Sequence, residues 1–351
     1  MKLLLLRLSS MGDVLHTLPA ISDMQRYRPD VELHWLLEPA FAPLAHLHPA
    51  VRQTIPFGLR GYKKRWTALP EALRALRRTL REAHYDQVLD AQGLYKSALL
   101  GRLAGAPLMG FNAASAREPG ATRLYQRCFG VSWDQNAIQR NRQLFAQALD
   151  YPMPDTLPDY GLQSAARQLR ADTLDAPWNA IVKSPFVMGF HGTTRENKEW
   201  YEAYWVKLAE KLQAFGVHLV LPAGNVREAE RAARIAVQVG NVIALPASSL
   251  MELAALSVRA RAFIGMDTGL SYLMAALGLN GVTLYGPTDA EQFSSRLDQQ
   301  ITLQSPEACA PCGKDRCPLP EAQNGRILCQ QALEPVQVWA ALSSLLELHH
   351  E

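Results

Sequence analysis

Short apolar runs alternate along the first half of the chain with segments in which apolar residues recur at helical spacing. Residues 2–8 have the continuous apolar character of a buried strand, and the turn at 9–13 leads into an amphipathic segment at 14–26. Further strands are predicted at 32–37, 87–89 and 108–111, and helices at 69–83 and 94–104. This alternation predicts a parallel sheet covered by helices.

The pattern weakens between about residues 150 and 184, with prolines at 152, 154, 158, 177 and 185, as expected of an interdomain linker. The alternation of predicted strands and helices then resumes. Strands are predicted at 186–190, 217–221, 262–266 and 281–285, and helices at 201–215, 228–239, 270–277 and 335–348. We therefore expect two α/β domains, at residues 1–165 and 180–330, with a cleft between them and a C-terminal helix within 331–351.

Composition and charge exclude several classes of protein. The 351 residues are 48% hydrophobic and 20% charged, which indicates a globular protein of roughly two domains. No apolar run approaches the roughly 20 residues of a membrane span, and the run at 3–6 is too short for a signal peptide, so a cytoplasmic protein is expected. The formal charge of +3 does not indicate a nucleic-acid binder.

The positive charge is unevenly distributed along the chain. Between residues 60 and 81 there are eight Lys or Arg residues and one acidic residue, Glu71. This segment is a candidate surface for an anionic ligand.

Loops that follow predicted strands carry the candidate chemistry, because open parallel sheets bind ligands at the carboxyl ends of their strands. Asp13 begins a helix, where it is either a general base or a helix cap. The loop 191–200 offers hydroxyls, amides and Lys198 to a pyrophosphate, or is a solvated turn. Asp267, in the loop 265–271, either turns towards a ligand or caps a helix. Glu228 either reaches a ribose or sugar hydroxyl or lies in solvent.

Six segments together resemble the bacterial heptosyltransferases of glycosyltransferase family 9. They are LRLSSMGDVLHTLPA (6–20), DAQGLYKSAL (90–99), SAREP (115–119), HGTTRENKEW (191–200), MDTGLSYLMAAL (266–277) and LYGPTD (284–289). The resemblance covers residues 1 to about 290 in the same order, and it is closest to the branch that adds the first heptose of the lipopolysaccharide inner core.

The resemblance implies a GT-B fold of two Rossmann-like domains and an inverting transfer that requires no metal. It implies ADP-L-glycero-β-D-manno-heptose as the donor and the Kdo sugar of Kdo2-lipid A as the acceptor, on the cytoplasmic leaflet of the membrane. Asp13 corresponds to the catalytic base. The implied donor-binding residues are Thr193, Thr194, Lys198, Glu228, Asp267, Thr268, Gly269 and Tyr272, and the implied acceptor-binding residues are Arg60, Lys63, Lys64 and Arg117.

Other arginines of the basic segment, at positions 74, 77, 78 and 81, either form a solvated helix face or help the protein to lie on an anionic membrane surface. At position 272 the sequence departs from the histidine of many relatives. A tyrosine hydroxyl can donate a hydrogen bond there, but it carries no positive charge near neutral pH.

Four cysteines fall within 21 residues: Cys309, Cys312, Cys317 and Cys329. This spacing is more typical of other branches of the family. The thiols either ligate a structural zinc or iron ion or remain as free thiols or a disulfide. Cys128 stands apart from them and is predicted to be a small buried residue.

Three alternatives remain open. A family 9 enzyme can act on another acceptor, either a heptose of the inner core or a protein hydroxyl. A nucleotide-sugar epimerase of GT-B shape would share the diphosphate-binding half, but it would not need the basic stretch at 60–65. A non-catalytic binding module would use the basic face alone, and it would tolerate the loss of Asp13.

Overall fold

The computed structural model describes residues 1–62, 66–171 and 178–347. The chain forms two compact units, Met1–Leu162 and Gln163–Glu351. The first unit ends slightly before residue 165, and the C-terminal helix belongs to the second unit. The stretch predicted as a linker contains two helices, Gln163–Ala171 and Trp178–Ile181.

The first unit is a parallel sheet of six strands in the order β3-β2-β1-β4-β5-β6. Its strands are β1 Lys2–Leu6, β2 Glu32–Leu37, β3 Val51–Pro56, β4 Gln87–Asp90, β5 Leu108–Phe111 and β6 Arg127–Phe129. Its helices are α1 Met11–Leu15, α2 Leu18–Tyr27, α3 Ala42–His46, α4 Leu69–Glu82, α5 Tyr95–Arg102 and α6 Ala137–Leu149.

Strand β1 lies in the middle of this sheet, between β2 and β4, and is buried. Leu3 to Leu6 have no exposed surface, which is the reason for their continuous apolar sequence. Leu6 pairs with Asp90 at the carboxyl end of β4. The first polar residues after β1 and β4 therefore emerge side by side at one edge of the sheet.

The second unit repeats the same strand order, in the sequence β12-β11-β10-β7-β8-β9. Its strands are β7 Phe186–Phe190, β8 His218–Leu221, β9 Val242–Ala244, β10 Ala262–Met266, β11 Gly281–Tyr285 and β12 Gln300–Gln304. Its helices are α7 Gln163–Ala171, α8 Trp178–Ile181, α9 Glu202–Ala214, α10 Val226–Ala236, α11 Leu250–Ser257, α12 Gly269–Ala276, α13 Ala290–Phe293, α14 Leu328–Gln331 and α15 Pro335–Leu345.

The core of the second unit is mainly aliphatic and contains three tryptophans. Trp200 and Trp205 are fully buried and meet edge to face, with ring centroids 5.2 Å apart. The C-terminal helix α15 packs on α9 and the central strands, and Trp339 stacks on Phe215. Both units are α/β sheets with the Rossmann strand order, as the fold prediction required. No helix within the described ranges is long and apolar enough to cross a lipid bilayer.

The edge strands and a break within the helix predicted at 14–26 were not predicted from the sequence. β3, β6, β9 and β12 lie at the sheet edges, where most residues are only partly buried or exposed and the apolar run disappears. The helix predicted at 14–26 is two helices, because Thr17 precedes the new helix whose second residue is Pro19. Cys128, predicted to be buried, is exposed on β6.

Candidate active site

Each sheet has one point where the strand order reverses, between β1 and β4 in the first unit and between β7 and β10 in the second. Ligands of doubly wound α/β folds bind just outside the strand ends at such a point. Asp13 follows β1, the loop 191–198 follows β7, and Asp267 follows β10. The candidate residues therefore lie where this fold places its ligands.

Asp13 lies in the first turn of α1, and its two carboxylate oxygens have different partners. Oδ1 accepts hydrogen bonds from Arg7 and Arg117, each with an N–O distance of 3.1 Å. Oδ2 accepts from the backbone N–H of Ser10 at 3.0 Å and from its hydroxyl at 3.2 Å. Asp13 thus caps the helix with one oxygen while the other faces two guanidinium groups.

This environment keeps Asp13 ionised. Burial alone raises the pKa of its carboxyl, but Arg7 and Arg117, together with the Ser10 amide, outweigh burial and hold the pKa below its usual range. A carboxylate of low pKa is a weak base towards water, yet it is fully charged at neutral pH and ready to accept a proton that is released in a transition state. Both interpretations of Asp13 are therefore compatible with its geometry.

Of the predicted acceptor residues, Arg117 lies at this site. Its side chain is 45% exposed, so a guanidinium group that already pairs with Asp13 is also accessible to a further anion. Arg60 lies in the short 3-10 turn Leu59–Tyr62. Lys63 and Lys64 lie outside the described residues.

Lys198 and Asp267 form a buried ion pair in the second unit. The ammonium of Lys198 donates to Oδ2 of Asp267, and the two side chains are only 13% and 7% exposed. The hydroxyl of Tyr272 donates to the other oxygen, Oδ1. Burial raises the pKa of Asp267, but Lys198 outweighs it and the pKa is lowered.

The environment of Tyr272 keeps its hydroxyl protonated. Burial, and then the negative charge of Asp267, raise its pKa well above the usual value. The phenol at this position therefore acts as a hydrogen-bond donor to Asp267. Thr268 and Gly269 open helix α12, and the Thr268 hydroxyl is buried without a hydrogen-bond partner within the part of the chain that is described. The free amides of this helix start can bind an anion.

The remaining residues predicted to bind the donor lie at the ends of β7 and β8. The hydroxyl of Thr193 bonds both backbone groups of Arg195 and shapes the turn, whereas Thr194 is exposed. Glu228 accepts from the Gly224 amide at 2.8 Å, and a side chain at Gly192 would collide with it. Gly192 therefore allows Glu228 to approach the strand end, and the carboxylate is a polar group at this edge of the sheet.

The four tail cysteines line one cavity of about 260 Å³, which Asn197 of the loop 191–198 also lines. All are free thiols, and burial, followed by the neighbouring thiols, raises the pKa of Cys329 to about 12. Four thiols suit a soft metal, but within residues 1–62, 66–171 and 178–347 no group of three or more His, Cys, Asp or Glu side chains is arranged to hold one. A structural zinc or iron ion stays a prediction.

The segment 309–330, which carries the four cysteines, also contacts the loop that carries Lys198. Asn197 donates to the carbonyl of Lys314 at 2.9 Å, and Arg195 pairs with Asp315 at 2.9 Å. Gln330 donates to the carbonyl of Asn197 at 3.3 Å. These contacts therefore fix the loop 191–198 against the segment that carries the four cysteines.

Sequence reasoning missed Arg7 and the loop after β4. Arg7 is 6% exposed and contacts Asp13, and Asp90 at the end of β4 is fully buried. The available signal was a charged residue directly after an apolar strand. Each of these side chains faces inward at a strand end, where burial of a charge requires a partner.

Comparison with known proteins agrees with this arrangement. Residues 73–323 match the profile of glycosyltransferase family 9 (heptosyltransferase). The lipopolysaccharide heptosyltransferase 1 of Pseudomonas aeruginosa is 40% identical, over 99% of this chain and 98% of that protein.

Two solved structures of an Escherichia coli heptosyltransferase, WaaC, share the fold. The structure with ADP has a TM-score of 0.83 and 33% identity, and covers 98% of this chain and 100% of that chain. The structure with ADP-2-deoxy-2-fluoro heptose has a TM-score of 0.77 and 37% identity, with 87% and 94% covered. Family profile, sequence and fold agree, and the chain belongs to glycosyltransferase family 9, the heptosyltransferases.

Proposed function

We propose that this enzyme transfers L-glycero-D-manno-heptose from ADP-heptose to the Kdo sugar of Kdo2-lipid A, with inversion at the anomeric carbon. The observation that carries the proposal is the ionised carboxylate of Asp13, which two arginines hold at the first switch point. The near full-length similarity to a lipopolysaccharide heptosyltransferase 1 supports this choice of substrates. A GT-B-like epimerase, by contrast, would need no acceptor site.

In the proposed reaction, a Kdo hydroxyl oxygen forms the new bond to the anomeric carbon while the bond from that carbon to the ADP oxygen breaks. The hydroxyl proton passes to Asp13, and ADP leaves with the electron pair of the broken bond. The hydroxyl approaches Oδ1 beside Arg117, whose half-exposed side chain can turn towards the acceptor. As the hydroxyl oxygen donates electrons into the new bond to the anomeric carbon, its proton becomes more acidic, so a weak base suffices.

The leaving diphosphate needs positive charge and amide donors. Lys198 and the first amides of α12 offer these at the second switch point, and Asp267 and Tyr272 lie beside them for the heptose hydroxyls. Glu228 lies nearest the nucleoside in this arrangement. Because side chains and amides supply both the charge for the diphosphate and the contacts to the heptose, the proposed step needs no metal.

The acceptor is strongly anionic, since Kdo carries a carboxylate and lipid A carries phosphates. Arg117, with Arg60, Lys63 and Lys64, would supply the complementary charge. Bidentate arginine contacts suit carboxylate and phosphate groups.

A transfer assay tests the proposal directly. ADP-heptose is supplied with de-acylated Kdo2-lipid A, or with the same acceptor already bearing one heptose, and ADP release and product mass are recorded. We expect product from the heptose-free acceptor alone. Product only from the heptose-bearing acceptor would reassign the enzyme to a later step, and no product from either would direct attention to protein hydroxyls.

We further propose that the enzyme works as a peripheral protein on the cytoplasmic face of the membrane. Helix α4 exposes Arg74, Arg77 and Arg78 on one side while Leu76 and Leu80 are buried on the other. Near an anionic lipid surface each such charge contributes about 1 kcal/mol. Trp66, just before this helix, is 75% exposed.

Sedimentation with lipid vesicles tests this placement. We expect binding to phosphatidylglycerol vesicles at low salt, loss of binding at high salt, and none to phosphatidylcholine vesicles. The double variant Arg74→Glu, Arg78→Glu should reduce sedimentation, whereas the control Arg167→Glu on α7 should not. Equal sedimentation of both variants with the wild type would contradict the role of α4.

A further inference from the structure

Gln92 lies in the loop after β4, and its side chain bonds the backbone of the loop that leads from β1 to Asp13. Its Oε1 accepts from the N–H of Leu8 at 2.7 Å, and its Nε2 donates to the carbonyl of Ser9 at 3.0 Å. The side chain is 3% exposed. One amide group thus satisfies a buried donor and a buried acceptor in the irregular segment that follows β1.

The loop that carries Gln92 is itself held by a buried carboxylate. Oδ1 of Asp90 accepts from the amides of Gln92 at 2.8 Å and Gly93 at 3.1 Å. Oδ2 accepts from the hydroxyls of Ser97 at 2.7 Å and Tyr125 at 2.8 Å. Because Asp90 is fully buried and has four donors, the position of Gln92 is firmly determined.

The same loop also contacts Arg7 and the backbone next to Arg117, the two arginines that bond Asp13. Arg7 donates to the carbonyl of Ala91. Gly93 has a φ of +68°, and a side chain there would lie 3.3 Å from the Arg117 amide nitrogen. The amide of Glu118 donates to the carbonyl of Gly93 at 3.0 Å. Arg7, Leu8 and Ser9 are thus bonded directly to the loop after β4, and Arg117 is connected to it through the backbone of Glu118.

We propose that Gln92 is a positioning residue for the transfer reaction, which holds the Asp13 loop in register with its two arginines. The inference rests on the proposed role of Asp13 as the base. Gln92 touches no substrate in this account. It acts through the backbone at Leu8 and Ser9, and its effect reaches the chemistry as the placement of the Asp13 carboxylate.

The test is the variant Gln92→Met, which keeps an unbranched side chain of similar length and removes both hydrogen bonds. We expect kcat to fall by about 100-fold, the cost of a displacement on the order of 1 Å at a reacting group. ADP affinity, which depends on the second unit, should stay unchanged. The acidic limb of the kcat profile should move to higher pH, because a displaced Asp13 loses the arginines that lower its pKa.

The matched control is Gln126→Met. Gln126 also bonds a backbone amide, that of Leu108 at 2.6 Å, but it touches neither Asp13 nor its loop. We expect its kcat and pH profile to equal those of the wild type. A general loss of stability would lower the melting temperature without moving the acidic limb, so an unmoved limb in Gln92→Met would overturn the inference.

Asp13→Asn, measured in parallel, separates this inference from the proposed function. If Asp13→Asn keeps wild-type turnover, the base role fails and the inference falls with it. If Asp13→Asn is inactive while Gln92→Met retains the wild-type kcat and pH profile, only the positioning role is wrong. Should Gln92→Met fail to fold, Gln92→Glu keeps the acceptor for Leu8 and loses the donor to Ser9, and an unchanged kcat there would equally overturn the inference.

Discussion

Replacement of Lys198 by methionine removes the cation from a buried ion pair. It should lower both the free energy of unfolding and the affinity for ADP, and the two effects can be measured separately. Asp267 would stay buried without its cation, while Tyr272 would still donate to Oδ1. Breaking a buried pair costs about 3–5 kcal/mol. Because hydroxyl donors such as Tyr272 still contact Asp267, we expect the lower end of this range, about 3 kcal/mol, in the free energy of unfolding.

The effect on ADP follows from the loss of one charge-assisted hydrogen bond to the diphosphate. Such a bond contributes about 1.5–3 kcal/mol, so ADP should bind about 10- to 150-fold more weakly to Lys198→Met. Asp267→Asn should act in the opposite direction. It removes a carboxylate that competes with the diphosphate for Lys198, so ADP should bind at least as tightly as it does to the wild type.

Calorimetric titration with ADP and urea unfolding measure the two effects in Lys198→Met, Asp267→Asn and the double variant. Lys207→Met, an exposed lysine on α9, is the control for the loss of a positive charge from this unit. The double variant should be destabilised by less than the sum of the single variants, because the pair is lost only once. Unchanged ADP affinity in Lys198→Met would refute the donor role and leave Lys198 as a purely structural partner of Asp267.

Three further predictions concern the base, its titration and metal dependence. Asp13→Asn should lose nearly all turnover in the transfer assay with ADP affinity retained; turnover near that of the wild type would exclude Asp13 as the base. Arg7, Arg117 and His16 favour the carboxylate of Asp13 and lower its pKa, and Arg140 also faces it. The enzyme should therefore stay active at pH values below the usual pKa range of an aspartate. Arg117→Met raises this pKa and should move the acidic limb of kcat to higher pH, while Arg123→Met should not. Brief treatment with a chelator should leave kcat unchanged, and metal analysis of the purified protein would reveal zinc or iron at the four cysteines.

The central strands and the site loops could be predicted because each depends on local sequence. β2, β5, β7, β10 and β11 coincide with the predicted ranges, since strands buried on both faces are short apolar runs with clear ends. The loops with Asp13, Lys198 and Asp267 were identified by their place after such strands. Edge strands such as β3 were missed because their exposed residues interrupt the apolar run.

The partners within the site could not be predicted, because they are distant in sequence. Arg117 is 104 residues from Asp13, and Asp267 is 69 residues from Lys198. Neither pairing leaves a local pattern, since each depends on which strands become neighbours at the switch point. The choice between helix cap and base for Asp13 was open for the same reason: the cap is a local contact, whereas the arginine contacts require the folded sheet.

Both units place a buried carboxylate beside cations at the switch point of the sheet, but they use different residues. At each switch point a buried carboxylate lies against cations, Asp13 against two arginines and Asp267 against a lysine, and in both cases the cations outweigh the effect of burial on its pKa. Each carboxylate is therefore charged before any substrate binds. A transfer that moves a proton off a hydroxyl and expels a diphosphate gains from charges that are already in place, since little reorganisation is then needed at the moment of reaction. The Arg117 and Lys198 variants test this argument at the two sites independently, because each removes a cation without changing the carboxylate it faces.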